Sequence, residues 1–251
     1  MDREYEFADD LALEASPEEI WDAIATGPGT DAWFMGRSHI EGAEGGRMTT
    51  DLGGFELQST VTAWDPPRHF AHRSDPSPDG SFRAFEYLIE GREESNTVLR
   101  IVSSGFFGGE DWEAEYDGWL RGGPLYPHNL TQYLNHFRGN VATPVGAGLP
   151  VAVDTDGFWR LLRRGLALPP ALHRGDDVKL SAGGPSPIVG TIDYLSPSIL
   201  GVRAADGLYR FIHGIHGAVV IGHHLFDGSD SLHANTIWQG WLQQAYTADL
   251  S

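Results

Sequence analysis

The 251-residue chain contains no cysteine, which excludes disulfides, thiolate metal sites and cysteine nucleophiles. Long apolar runs are also missing. No stretch approaches the eighteen residues of a membrane span, and the first ten residues, "MDREYEFADD", are charged where a secretory leader would be apolar. Neither a span nor a leader is therefore expected, and the cytoplasm is the expected address. Positive charge is scarce: 17 Lys and Arg stand against 35 Asp and Glu, a formal net charge of −18. Lys179 is the single lysine, a bias that reads as genomic base composition rather than mechanism. The imbalance is uneven, because residues 1–140 hold 26 acidic and 10 basic side chains while residues 141–251 hold 9 and 7. A field of this sign repels phosphate backbones and anionic lipid, so neither nucleic acid nor membrane is an expected partner.

What is present is a chain with 41% apolar residues, enough to bury a core. "ASPEEIWDAIATGPGTDAWF" predicts a helix from Pro17. Ser16 is its N-cap, Glu18 and Glu19 occupy the first turn, and Ile20, Trp21 and Ile24 form an apolar face. Gly27-Pro28-Gly29 is expected to stop it. The following runs, "GGRMTTDLGGFELQSTVTAWDPPRHFAHRSD", "SFRAFEYLIEG" and "NTVLRIVSSGFF", alternate β-branched and aromatic residues between turn residues and predict an antiparallel meander. From Glu110 the period changes. Trp112, Tyr116, Trp119, Tyr126, Leu130, Tyr133, Leu134 and Phe137 recur at helical spacing, with interruptions expected at Gly122-Gly123-Pro124 and at Pro127. Residues 141–153, rich in Gly, Pro and small side chains, read as a linker between domains at 1–140 and 154–251.

After the linker the order repeats: a short helix in "DTDGFWRLLRRGLALP" capped near Asp154 or Thr155, strands in "DDVKLSA", "SPIVGTIDYLSPSILGVRAA", "GLYRFIHG" and "GAVVIGHHLF", and a closing helix in "SLHANTIWQGWLQQAY". Aligning "VLRIVSSGFFGG" with "AVVIGHHLFDGS" sets Ser103 and Ser104 opposite His223 and His224, at an offset of 120. Gly118-Trp119-Leu120 then falls near Gly240-Trp241-Leu242, while Ile20-Trp21 matches Phe158-Trp159 at 138. These offsets predict an internal repeat whose second copy lacks about sixteen to eighteen residues. The repeated Gly-Trp-Leu is expected to let each closing helix approach its sheet at the glycine and anchor through the tryptophan.

The segments "SPEEIWDAI…AWF", "GGRMTTDLGG", "VTAWDPPRHFAHR", "VLRIVSSGFFGG" and "DGWL" resemble bacterial relatives of the C-terminal domain of the activator of Hsp90 ATPase, within the START/Bet v 1-like (SRPBCC) superfamily. The resemblance covers residues 5–137, and the second half matches loosely. It implies an α+β helix-grip fold in each unit, a curved antiparallel sheet around a long C-terminal helix with an apolar cavity between them, the second unit being too short for a full cavity. It also implies binding or sequestration of a hydrophobic small molecule, with a polyketide cyclase or aromatase-like enzyme and a regulator of an Hsp90-type chaperone as alternatives. The superfamily shares no catalytic motif, so no catalytic residue is assigned.

The cavity is expected to be lined from Trp33, Phe55, Phe85, Tyr87, Trp112, Tyr116 and Trp119, some of which must serve as plain core. Flanking Phe85 and Ile89 turn Tyr87 inward and Glu86 outward, and Leu99 and Ile101 turn Arg100 outward. Arg47 and Arg83 also fall within strands and are expected at the surface. Trp119 is expected to be structural because Trp241 repeats it. His213, His216, His223, His224 and His233 cluster late, yet adjacent His223 and His224 must face opposite sides of a strand. These histidines are read as polar residues at strand ends, with one imidazole sealing a cavity. Neither a metal nor a cofactor is expected. A homodimer contact and a chaperone partner stay open beside the small molecule.

Overall fold

A computed structural model describes residues 3–93, 96–181 and 186–249 and divides the chain into two units, Met1–Val141 and Ala142–Ser251. The first unit begins with strand β1 (Glu4–Leu13), helix α1 (Pro17–Ala25) and a helical turn α2 (Gly27–Thr30). Six strands follow: β2 (Arg37–Ile40), β3 (Arg47–Asp51), β4 (Glu56–Asp65), β5 (His69–Ser74), β6 (Phe82–Glu93) and β7 (Asn96–Phe106). Helices α3 (Trp112–Gly122) and α4 (Leu125–His136) close the unit. β3 to β7 form the expected meander, the unexpected β2 extends it at one edge and β1 adds beside β7 at the other, giving the antiparallel order β1-β7-β6-β5-β4-β3-β2. With the C-terminal helices across one face, this is the helix grip.

Local chemistry accounts for the element ends. The Ser16 side chain accepts from Glu19 N at 3.2 Å and the Glu19 carboxylate accepts from Ser16 N at 2.8 Å, a reciprocal capping box that starts α1. Arg138, just past α4, donates to the same carboxylate at 2.8 Å and to the Glu14 carbonyl at 2.9 Å, which ties the last helix to the first. Gly27-Pro28-Gly29 does not send the chain straight into a strand. Thr26 accepts from Gly29 N at 3.1 Å, Pro28 fits the first helical turn, and a side chain at Gly29 would collide with the Asp22 carbonyl. Gly123 and Pro124 break the long helix where expected. Pro127 does not, because it lies in the first turn of α4, where its missing N–H has no intrahelical partner to lose.

The second unit starts with strand β8 (Thr143–Ala152) and helix α5 (Thr155–Leu166), capped by Asp154 accepting from Gly157 N at 2.7 Å. Strands β9 (Asp177–Leu180), β10 (Ile188–Ser196), β11 (Ile199–Ala204), β12 (Gly207–His213) and β13 (Ala218–Leu225) and helix α6 (Ser231–Asp249) follow. The sheet order β8-β13-β12-β11-β10-β9 repeats that of the first unit with one strand fewer. The stretch expected as a linker is thus mostly strand. Its glycines and prolines mask an alternation of Val145, Ala147 and Leu149, all buried in the core with Phe158, Phe211 and Trp241. Prolines are tolerated because β8 is an edge strand. Its outer backbone groups are occupied by α6: Gly146 N donates to Asn235 Oδ1 at 2.9 Å, and Gly148 exchanges two bonds with the Gln239 amide at 3.1 and 3.0 Å.

The repeat holds at the level of register. Phe7 pairs with Ser103 across β1 and β7, and Val145 pairs with His223 across β8 and β13. The first strands therefore keep the 138-residue offset of the first helices, and the last strands keep 120. Within the second unit, Arg210 is fully buried and makes a bidentate pair with Asp193 at 2.9 and 2.7 Å. Gly201, its neighbour on β11, leaves the room for it: a Cβ there would stand 2.9 Å from Arg210 Nη1.

Candidate ligand cavity

Strand register lays two rows of side chains across the helix-facing side of the first sheet. One row runs Asp9, Ile101, Tyr87, Phe70, Trp64 and the other Phe7, Ser103, Phe85, His72, Val61. Tyr87 stacks on Phe70 at 5.8 Å and Phe85 on His72 at 5.3 Å, so the floor is a sheet of rings. The roof comes from the broken helix: Trp119 and Leu120 of α3, Gly123 and Pro124 of the break, and Tyr126 and Pro127 of α4. Trp33 and Phe34 close one side. Between floor and roof lies a cavity of about 220 Å³.

The side wall is fixed by buried hydrogen bonds. Trp33 donates through its indole to the Ala23 carbonyl at 2.9 Å, and its own carbonyl accepts from the Asn129 amide at 3.1 Å, which locks the segment after α2 between α1 and α4. Asp31 accepts from Ser38 N at 2.6 Å, and burial pushes its carboxyl up to about 6. Phe34 packs on Tyr126 at 4.6 Å, so the wall meets the roof through two rings.

Of the expected lining residues, Trp33, Phe85, Tyr87 and Trp119 meet at this cavity. Phe55 does not: it is 63% exposed between β3 and β4, because the glycine-rich turn carries it beyond the sheet face. Trp112 and Tyr116 stand beside the cavity rather than in its wall. Trp112 lies under the Arg3 guanidinium at 5.8 Å, and Tyr116 packs against Phe107 and Phe7 at 6.2 and 6.4 Å. Sequence reasoning missed Phe7, Phe34, Ile101, Ser103 and Tyr126, which also line it. For Phe7 the signal was available, since Tyr5, Phe7, Leu11 and Leu13 alternate along an unrecognised β1.

Tyr87 is buried and inward as alternation predicts, while Glu86 turns outward to His69 at 2.8 Å. Burial raises the Tyr87 phenol well above its usual range and pushes Tyr126 up to about 12, so both stay protonated as hydrogen-bond donors. His72, in the floor row beside Phe85, is pushed down to about 4 by burial, and its Nδ1 has no hydrogen-bond partner among the described residues. It is a neutral core imidazole. The arginines lie outside the wall. Arg47 pairs with Asp75 at 3.0 Å, Arg83 with Glu115 at 3.7 Å, and Arg100 with Asp10 at 3.5 Å.

The second unit fills the corresponding space. His223 packs edge-on against Trp238 at 4.4 Å, between Tyr209 and Phe211, while its Nδ1 accepts from Arg210 N at 2.9 Å. Burial holds it neutral. His223 and His224 face opposite sides and lie near the end of β13 as expected, yet both are buried. Among the described residues no group of three or more His, Asp or Glu is gathered to hold a metal ion. The paired tryptophans also diverge. Trp241 is core, whereas Trp119 is half-buried and lines the cavity. Nor does Gly240 bring its helix close, since a Cβ there would meet nothing within 4 Å. The close approach is made by Gly165 of α5, whose carbonyl accepts from the Trp241 indole at 3.2 Å.

With this geometry in hand, comparisons place the chain among known proteins. Residues 14–135 match the family described as Activator of Hsp90 ATPase homolog 1-like protein. No curated protein matches the chain. Among solved structures, a protein from Mesorhizobium loti is 21% identical, with 53% of this chain and 98% of that one covered and a TM-score of 0.45. The Aha1 dimer from Colwellia psychrerythraea is 20% identical over 54% and 99%, with a TM-score of 0.43. The di-domain ARO/CYC BexL from the BE-7585A biosynthetic pathway is 10% identical over 98% and 96%, with a TM-score of 0.47. No helix among the described residues is long and apolar enough to cross a membrane.

Proposed function

We propose, for a first unit that is AHSA1-like over residues 14–135, that its cavity binds and sequesters a hydrophobic small molecule without a cofactor. The observation that carries this is the wall itself. It is built mainly of aromatic rings, and its hydroxyls belong to Tyr87, Ser103 and Tyr126. An apolar cavity with a few polar groups to fix orientation is the usual form of a small-molecule site. The two phenols are held protonated, which suits them to grip a ligand carbonyl or hydroxyl and not to remove a proton.

Native mass spectrometry of the protein purified from its own host, followed by denaturation, tests this. A co-purifying apolar metabolite near one per chain is the expected result. For that metabolite, Tyr87→Phe weakens affinity by about 1 kcal/mol, one net hydrogen bond, and leaves the melting temperature unchanged. Unaltered affinity would move Tyr87 out of the site, and a protein that never takes up an apolar molecule would overturn the reading.

A cyclase or aromatase-like enzyme is the second reading, favoured by the same three hydroxyls lining one cavity, since groups held in fixed positions can steer a flexible substrate. Turnover of the released metabolite by the pure protein separates it from simple binding.

A further inference from the structure

One carboxylate belongs to the cavity wall. Asp9 shares its sheet face and cross-strand row with Ile101 and Tyr87, lines the cavity, and is itself exposed, which places it at the open end. It has no hydrogen-bond or ion-pair partner among the described residues. Among the described residues no basic side chain lines the cavity. Arg83 shares the helix-facing side with Phe85 and acts on Tyr126, but it lies outside the wall and its charge is met by Glu115 at 3.7 Å, and Arg100 sits on the opposite sheet face with Asp10. Aromatic faces carry negative quadrupole charge, so the rings attract a cation and repel an anion. The surrounding field has the same preference, because residues 1–140 carry 26 acidic and 10 basic side chains.

Resting on the binding reading above, we propose that the cavity selects ligands with an organic cation, an ammonium group above all, on an apolar body. The body lies among Phe7, Phe85, Tyr87 and Trp119, and the cation sits at Asp9. A carboxylate or phosphate ligand would meet ring faces and a like charge with no counter-ion in the wall, so acidic lipids and acyl phosphates are excluded by the same arrangement.

Calorimetric titration of the full chain with three compounds on one scaffold tests this: 1-naphthylmethylamine, 1-naphthalenemethanol and 1-naphthoate. The amine is expected to bind tighter than the alcohol by roughly five- to ten-fold at low salt, with naphthoate weakest. Raising the salt narrows the amine's advantage and leaves the alcohol's affinity unchanged. Asp9→Asn brings the amine down to the alcohol's affinity, whereas Asp10→Asn, an equal change of net charge on the other face, preserves the preference. An amine no better than the alcohol, or a preference that survives Asp9→Asn, overturns the charge selection while the cavity reading stands. Failure of all three compounds to bind overturns both.

Discussion

Position 103 in the first unit and position 223 in the second hold the same place in their last strands, and they decide what lies above them. Ser103 is small and leaves a cavity, whereas the His223 imidazole fills the space against Trp238 at 4.4 Å. Ser103→Phe should therefore convert the first unit to the filled state. Ligand affinity is expected to fall at least ten-fold, with stability within about 1 kcal/mol of the parent, because the added ring occupies existing space rather than displacing core. Paired ligand titration and thermal melting check both halves of that statement. Residue-level legibility was uneven for a physical reason. Strand alternation turned Tyr87 inward and Arg100 outward correctly, since a period of two leaves no third choice. It could not assign Trp119, because a helix tryptophan facing a sheet serves equally as core or as cavity wall, depending on whether a small Ser103 or a large His223 stands opposite.

At the scale of elements, the first strand of each unit went unread while the helices and the meander were legible. β1 is rich in acids and β8 in glycine and proline, so composition spoke louder than alternation in both. Both are edge strands beside the last strand, a placement fixed by pairing distant in sequence. Contacts between helices were equally hidden. Gly165→Val is expected to destabilise the second unit by about 1–3 kcal/mol, since the position of its Cβ lies 2.9 Å from the Trp241 ring and 3.0 Å from the Ala245 Cβ. Gly240→Ala, in open space, gains helix propensity of up to about 1 kcal/mol. Chemical denaturation of the two variants should move in opposite directions. The cavity roof is also the least secured helix. α3 has no fully buried residue, while α4 buries Leu125, Asn129, Leu130, Tyr133 and Leu134. Amide exchange should thus be fast in α3 without ligand and slow there when the cavity is filled, with α4 changing little.

For the whole molecule, acid is the condition to watch. His72 is neutral in the fold, its pKa lowered from 6.5 to about 4, so the unfolded chain binds the extra proton between those values. Its contribution is present above pH 6.5 and is lost as the pH falls towards 4, up to about 3 kcal/mol. Asp31 acts in the opposite sense: its pKa is raised from 3.8 to about 6, so folding regains stability as the pH falls through that lower window. Below pH 6 Asp31 therefore offsets much of the His72 loss, while His223, also held neutral by burial, adds a loss of the same sign. Denaturant titrations at closely spaced pH should show the decline beginning just below pH 6.5, and His72→Leu should reduce it, the remainder belonging to His223. Further acidification approaches the pI of about 4.8, where the charge that keeps chains apart disappears.

A chain losing its mutual repulsion in acid is exposed wherever a strand offers free backbone. Along β8 it offers little, because Asn235 and Gln239 of its own closing helix hold the Gly146 and Gly148 groups that an incoming strand would need. Two amide side chains thus stand in for a neighbouring strand. Fibrous growth of this protein cannot start from that edge until α6 lets go.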